Sequence, residues 1–236
     1  MNQVMKQAIL KVVDKFAGRV ALTVPLRKKR GDSFDVLEMA FLKAGYESAE
    51  YYENNLITAE PCPTDLDLLT RAMKIATLPG LVLEFGVASG RTISHMASHS
   101  KSAIYGFDSF EGLPESWRTG FEKGRFAGGL PPVPPNAQLI KGWFDETLPE
   151  FLAGHKEQVS LLHVDCDLYS STKTIFDLLT PRLNPGCVIV FDEYWNYPGW
   201  KQHEQKAFFE YLKQSGRSYR YDSFVPSHQQ VCVVLT

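Results

Sequence analysis

The chain has 236 residues, a formal net charge of −2 at neutral pH and four cysteines. That length suits one large α/β domain with a substantial core. The near-neutral balance, with no Lys/Arg stripe interleaved with aromatics, gives no electrostatic basis for nucleic-acid binding, and no apolar run approaches the ~20 residues that cross a bilayer. Cys62, Cys166, Cys187 and Cys232 lack C-x-x-C spacing, and the N-terminus lacks a signal-peptide pattern, so the expectation is a cytosolic protein with reduced thiols.

In chain order, Val4–Phe16 is helix-compatible, with Val4, Ala8, Val12 and Phe16 on one face. The basic run Arg27–Arg30 reads as a solvated connection, with an anion or partner contact as the alternative. Phe34–Ala44 and Ala49–Ile57 are expected as two short helices, the second carrying Tyr51 and Tyr52 as packing aromatics. Residues 1–60 are thus expected to form a helical extension that covers the site or makes a homo-oligomer contact. Thr64 can cap a helix Asp65–Thr77, with Asp65 and Asp67 complementing its dipole, and Pro79-Gly80 ends it.

From there strands alternate with helices. The expected strands are Leu81–Phe85, Ala103–Phe107, Ala137–Ile140, Ser160–Val164 and Cys187–Phe191, followed by Ser218–Ser223 and Gln230–Leu235. The expected helices are Gly90–His99, one starting near Thr147, Ser171–Leu183 and Trp200–Gln214. This pattern gives a doubly wound, mostly parallel sheet of about seven strands, closed by a C-terminal antiparallel hairpin. Residues 61–236 form this domain. Its least regular part, 111–136, is rich in Gly and Pro and leaves the second strand, so it is expected to be a lid, with Trp117, Arg118, Phe121, Arg125 and Phe126 as contacts.

The stretch Leu81–Thr92 (LVLEFGVASGRT) is a short apolar run that ends in a glycine turn and enters a helix, the form of a buried strand leading to a ligand. A dinucleotide turn wants G-x-G-x-x-G for its pyrophosphate, but Ala88 occupies the middle position and Glu84 places a carboxylate at the strand end. That charge suits a ligand with a positive reactive half, such as S-adenosylmethionine (SAM). Asp108, about 22 positions beyond Gly86, closes the next strand, where an acid can accept ribose hydroxyls. The expected cofactor residues are Glu84, Gly86, Val87, Ala88, Ser89, Gly90, Thr92, Asp108, Ser109, Phe110 and Asp165.

Two further strands end in acids, in His163-Val164-Asp165-Cys166-Asp167 and in Asp192-Glu193. Parallel neighbours stopping at one level would gather Asp165, Asp192 and Glu193, whose mutual repulsion calls for a cation or protons. Oxygen ligands of this kind suit magnesium or calcium rather than zinc. The alternative is that Asp192 or Glu193 caps a turn or pairs with a basic residue, while Asp167 and Glu193 each point away on the alternating side.

With YGFDSFEGLP (Tyr105–Pro114), KGWFDETLP (Lys141–Pro149), HVDCDLYSST (His163–Thr172) and VFDEY (Val190–Tyr194), the stretch Leu81–Thr92 resembles the macrocin O-methyltransferase family over roughly residues 80 to 215. The resemblance implies a Rossmann-like class I SAM-dependent methyltransferase fold, methylation of sugar hydroxyls on natural products, and homo-oligomers. It implies an adenine pocket at Gly142, Trp143 and Phe144. It also implies a Mg2+ site at Asp165, Asp192 and Glu193, with glutamate at 193 where the family usually has aspartate.

The reaction expected is methyl transfer from SAM to a hydroxyl, with Asp165 as metal ligand and base and His163 and His203 as alternative bases. Metal-independent, phenol-directed and N-directed methylation stay open. So do a Rossmann NAD(P) oxidoreductase, which lacks its glycine motif here, and a SAM-binding module without turnover.

Overall fold

The computed structural model describes residues 33–236. The expected helix Val4–Phe16 and the basic run Arg27–Arg30 lie outside the described residues. Helix α1 spans Val36–Asn55 and starts where Asp35 Oδ1 accepts the N–H groups of Leu37 and Glu38. The two helices expected here are one. No proline falls between them, and the Ser48 hydroxyl bonds back to the Ala44 carbonyl at 2.8 Å, so the helix runs on through Gly45.

The chain then forms β1 (Glu60–Pro61), α2 (Asp65–Ile75), β2 (Leu81–Phe85), α3 (Arg91–Ser98), β3 (Ile104–Asp108), β4 (Ala137–Lys141) and α4 (Phe144–Gly154). It continues through β5 (Val159–Val164), α5 (Tyr169–Leu179), β6 (Val188–Phe191), α6 (Glu204–Ser215), β7 (Tyr219–Phe224) and β8 (Val231–Leu235). Helix α4 begins three residues before the expected start, because the Trp143 carbonyl already collects the N–H groups of Glu146 and Thr147. The helix expected at Trp200–Gln214 is split. A 3-10 turn, Trp200–Gln202, precedes α6, and His203 leaves the helical region between them.

All eight strands form one sheet in the order β1-β7-β8-β6-β5-β2-β3-β4. Strands β2 to β6 pair in parallel, and β8 is antiparallel to both β6 and β7. The extra strand beyond the expected seven is the two-residue β1, parallel to β7 at the edge. Every residue of β2, β5, β6 and β8 is buried, since helices cover both faces. On one face Leu68, Leu69 and Ala72 of α2 and Ile93 and Met96 of α3 pack on Val82, Ile104, Leu161 and Val190. On the other, Phe176 and Leu179 of α5 and Phe208 and Tyr211 of α6 pack on Leu83, Phe85, Leu162, Ile189 and Phe191. This is the doubly wound, mostly parallel Rossmann-like sheet of class I methyltransferases. The strand order reverses between β2 and β5, and ligands of open α/β sheets bind outside the carboxyl ends at such a point.

Helix α1 joins this body through phenols. Tyr51 Oη lies 2.5 Å from Tyr221 Oη and 3.3 Å from Tyr194 Oη, and its ring meets Trp200 edge-on. The aromatics at 51 and 52 are packing residues, as their neighbours Tyr194 and Phe224 show. All four cysteines are free and buried. No helix of the described residues is long and apolar enough to cross a membrane.

Candidate active site

The glycine turn after β2 is dictated by a close approach. Gly86 has φ +92°, and a Cβ there would stand 1.6 Å from the Asp165 carbonyl oxygen, so no other residue fits without moving β5. The two strand ends are tied together by Asp165 N–H to Phe85 O at 2.8 Å, and β6 joins them by Asp192 N–H to Val164 O at 2.9 Å. The turn is clamped by Asp108. Its Oδ2 accepts the N–H groups of Val87 and Ala88, each at 2.8 Å, and its Oδ1 accepts that of Phe110 at 2.7 Å. Asp108 thus orders the turn as well as facing the space beside it.

That space is a cavity of about 590 Å3 at the carboxyl ends of the strands, a size that suits a small-molecule cofactor. Of the residues expected around a cofactor, Gly86, Ala88, Asp108, Ser109, Trp143, Phe144 and Asp165 line it. The others do not. Val87, Thr92 and Phe110 are buried in the packing behind the turn, while Ser89, Gly90 and Gly142 shape turns away from the wall. Glu84 points into the sheet, fully buried, where its Oε1 meets His163 Nδ1 at 2.9 Å from the paired position on β5.

Seven carboxylates line the cavity: Asp108, Asp145, Glu146, Asp165, Asp167, Asp192 and Glu193. No lysine, arginine or histidine of the described residues shares the wall. Burial, and next the neighbouring Asp192, push Asp165 well above the usual carboxylate range. Asp167 is pushed up to about 7 by burial and by Asp192, against the opposing pull of Arg118. The expectation that Asp167 points away is corrected. Its backbone turns through φ +63°, and the side chain is buried in the cavity wall. Glu193 is likewise raised, first by burial and then by Asp192.

The atoms able to hold a cation are not the Asp165, Asp192 and Glu193 set expected. His163, Asp165 and Asp192 each offer a ligand atom, and all three atoms lie within 4.8 Å of one another. Glu193 lines the cavity, but its carboxylate stays out of that group and leaves Oε2 buried without a hydrogen-bond partner. Positions 192 and 193 lie past the end of β6 at Phe191, so their side chains are set by the bend that follows rather than by the strand. Two aspartates with one imidazole fit a hard or borderline divalent cation, and the Glu84 carboxylate on the far nitrogen is the usual support for a ligating histidine.

His203 lies outside the cavity wall. Its ring packs near Trp117 and Tyr197, its Nδ1 has no partner among the described residues, and burial, then Arg118, lowers its pKa. Of the expected lid contacts only Phe126 reaches the cavity. The rest of 111–136 is folded on itself by paired backbone bonds between Leu113 and residues 124 and 125, and the Arg118 guanidinium sits 3.8 Å over Trp117 and 4.7 Å over Tyr197. Sequence reasoning missed Asp145 and Glu146, whose place in the first turn of α4 is equally explained by the helix dipole. It also missed Glu204, which no motif marks.

A family described as a methyltransferase domain matches residues 83–194. Among characterised proteins, the 8-demethyl-8-(2,3-dimethoxy-alpha-L-rhamnosyl)-tetracenomycin-C 4'-O-methyltransferase of Streptomyces olivaceus is 30% identical over 143 residues, covering 50% of this chain. The chain spans about half of that relative, 54% of its length. Among solved structures, the calicheamicin methyltransferase CalS11 superposes with a TM-score of 0.57 at 25% identity, covering 72% of this chain and 76% of that one. The O-methyltransferase NovP shares the fold at a TM-score of 0.56 and 20% identity, over 72% of this chain and 78% of its own. Residues 83–194 thus resemble a methyltransferase domain, and the chain has the class I SAM-dependent methyltransferase fold.

Proposed function

We propose that this protein moves the methyl group of SAM to a hydroxyl of a small acceptor, a sugar or another hydroxylated natural product, beside a divalent cation, Mg2+ first. The observation that carries the reading is the double membership of Asp165, which lines the cavity and belongs to the His163/Asp165/Asp192 cluster. A relative whose name specifies O-methylation of a rhamnosyl tetracenomycin supports the acceptor class.

Bound SAM would supply an electrophilic methyl, and a cation at the cluster would lower the pKa of the acceptor hydroxyl. The chain's own residues do the rest. Gly86 and Ala88 open the turn to the cofactor, Asp108 fixes that turn and faces the ribose, and Trp143 and Phe144 flank the adenine. His163, fixed by Glu84, Asp165 and Asp192 would hold the cation, whose charge would keep Asp165 deprotonated and able to take the hydroxyl proton. His203, outside the wall, is left to packing. The 111–136 segment covers the acceptor through Phe126, and α1, with Leu37 and Phe41 more than half exposed, supplies a homo-oligomer contact that light scattering would test.

The test is conversion of SAM to S-adenosylhomocysteine (SAH) with a panel of neutral glycosides, with Mg2+ and with EDTA. Acceptor-dependent turnover lost in EDTA is expected, whereas equal turnover in EDTA would remove the cation from the reading.

A further inference from the structure

Glu204 opens α6 and is fully buried. Its Oε2 accepts the backbone N–H of Glu193 at 3.0 Å. Oε1 has no hydrogen-bond partner among the described residues. Glu193 immediately follows Asp192 of the cluster. One side chain of α6 therefore holds the loop that leaves β6.

Burying a carboxylate is costly unless it makes hydrogen bonds, and nothing in the amphipathic pattern of α6 requires an acid here. The contact instead fixes something the sheet leaves loose. The ladder bond of Asp192 holds its amide and Gln230 Nε2 donates to its Oδ1 at 2.9 Å, but the backbone leaves regular structure directly beyond. The Glu193 carbonyl is caught as well, by the Tyr197 hydroxyl at 3.3 Å.

We propose that Glu204 is a positioning residue, which sets the place of Asp192 relative to Asp165 by holding the amide of Glu193. The contact stands on geometry alone, and its consequence for cation binding rests on the function proposed above. A cation site tolerates little error in ligand spacing, so releasing this loop weakens it without touching a ligand.

Glu204→Ala and Glu204→Gln in the full chain test this by hydrogen exchange and by calorimetric titration with Mn2+ and, separately, SAH. In Glu204→Ala, the peptide covering 190–196 is expected to exchange at least tenfold faster while those of β2 and β3 are unchanged. Mn2+ affinity is expected to fall at least tenfold and SAH affinity to stay within threefold. Glu204→Gln keeps an oxygen for the Glu193 amide and is expected within threefold of the parent throughout. Unchanged exchange in Glu204→Ala would overturn the proposal, as would faster exchange across the whole sheet. Equal loss of Mn2+ in both variants would make Glu204 a ligand and overturn it too. If the alanine variant does not fold, Glu204→Asp, too short to reach the Glu193 amide, is read in its place. A parent that binds no Mn2+ defeats the cation reading, while the exchange result still decides the Glu204 contact.

Discussion

Glu84 and His163 face each other across β2 and β5, Oε1 to Nδ1 at 2.9 Å, both sealed from solvent. Removing one partner of a buried hydrogen-bonded pair leaves the other unsatisfied, at about 1–3 kcal/mol. Glu84→Ala is therefore expected to lose about that much in urea denaturation. It should also lose 10- to 100-fold in cation affinity, a loss of about the size expected when a ligating histidine's support is removed. Glu84→Gln, which retains a hydrogen-bonding group, should lose less of both.

The raised carboxylates fix the sign of the pH dependence. Asp167, pushed up to about 7, and Asp165 and Glu193, raised with it, hold protons in the folded chain that the unfolded chain has already released. Their contribution to stability is fully present below the unfolded pKa and is lost as pH rises through the folded values. In EDTA the melting temperature should fall as pH goes from about 4 to about 7. Cation binding requires the deprotonated groups, so Mg2+ affinity should rise over the same range, with proton release visible in buffers of different ionisation enthalpy.

The acidic wall selects its acceptor. Seven acidic side chains with no basic side chain among the described lining residues disfavour a diphosphate, the more so as the raised acids lose their protons, and tolerate neutral or amine-bearing glycosides. With one sugar offered both as a neutral glycoside and as its nucleoside diphosphate ester, kcat/KM should favour the glycoside at least tenfold. The ratio should shrink as salt is raised.

Gly86→Ala forces a Cβ against the Asp165 carbonyl in a backbone conformation that alanine resists. A cost of about 3 kcal/mol or more is expected in denaturant titration, together with loss of SAM binding.

How far the sequence spoke depended on whether a feature was local. Leu81–Phe85 was legible to the residue because a short run, apolar but for Glu84, stops at a glycine, and the carboxyl-end clustering of Asp165 with Asp192 followed from parallel strands ending together. The roles of Glu84, His163 and Glu204 were hidden because each is set by a partner across the fold, on a neighbouring strand or loop. The third cluster member was misassigned for a related reason. Chain order puts Glu193 beside Asp192, yet the bend beyond β6 keeps its carboxylate out of the group, and His163 comes in from β5. The break at His203 has no composition signal either, as Trp200–Gln214 contains neither proline nor glycine.

The most direct test is calorimetric titration of SAM into the wild type and into Asp108→Ala, with both shown to be folded. Micromolar binding in the wild type, weakened at least tenfold when the clamp on Val87, Ala88 and Phe110 is removed, is the predicted result. A folded wild type that does not bind SAM would contradict the account at its centre.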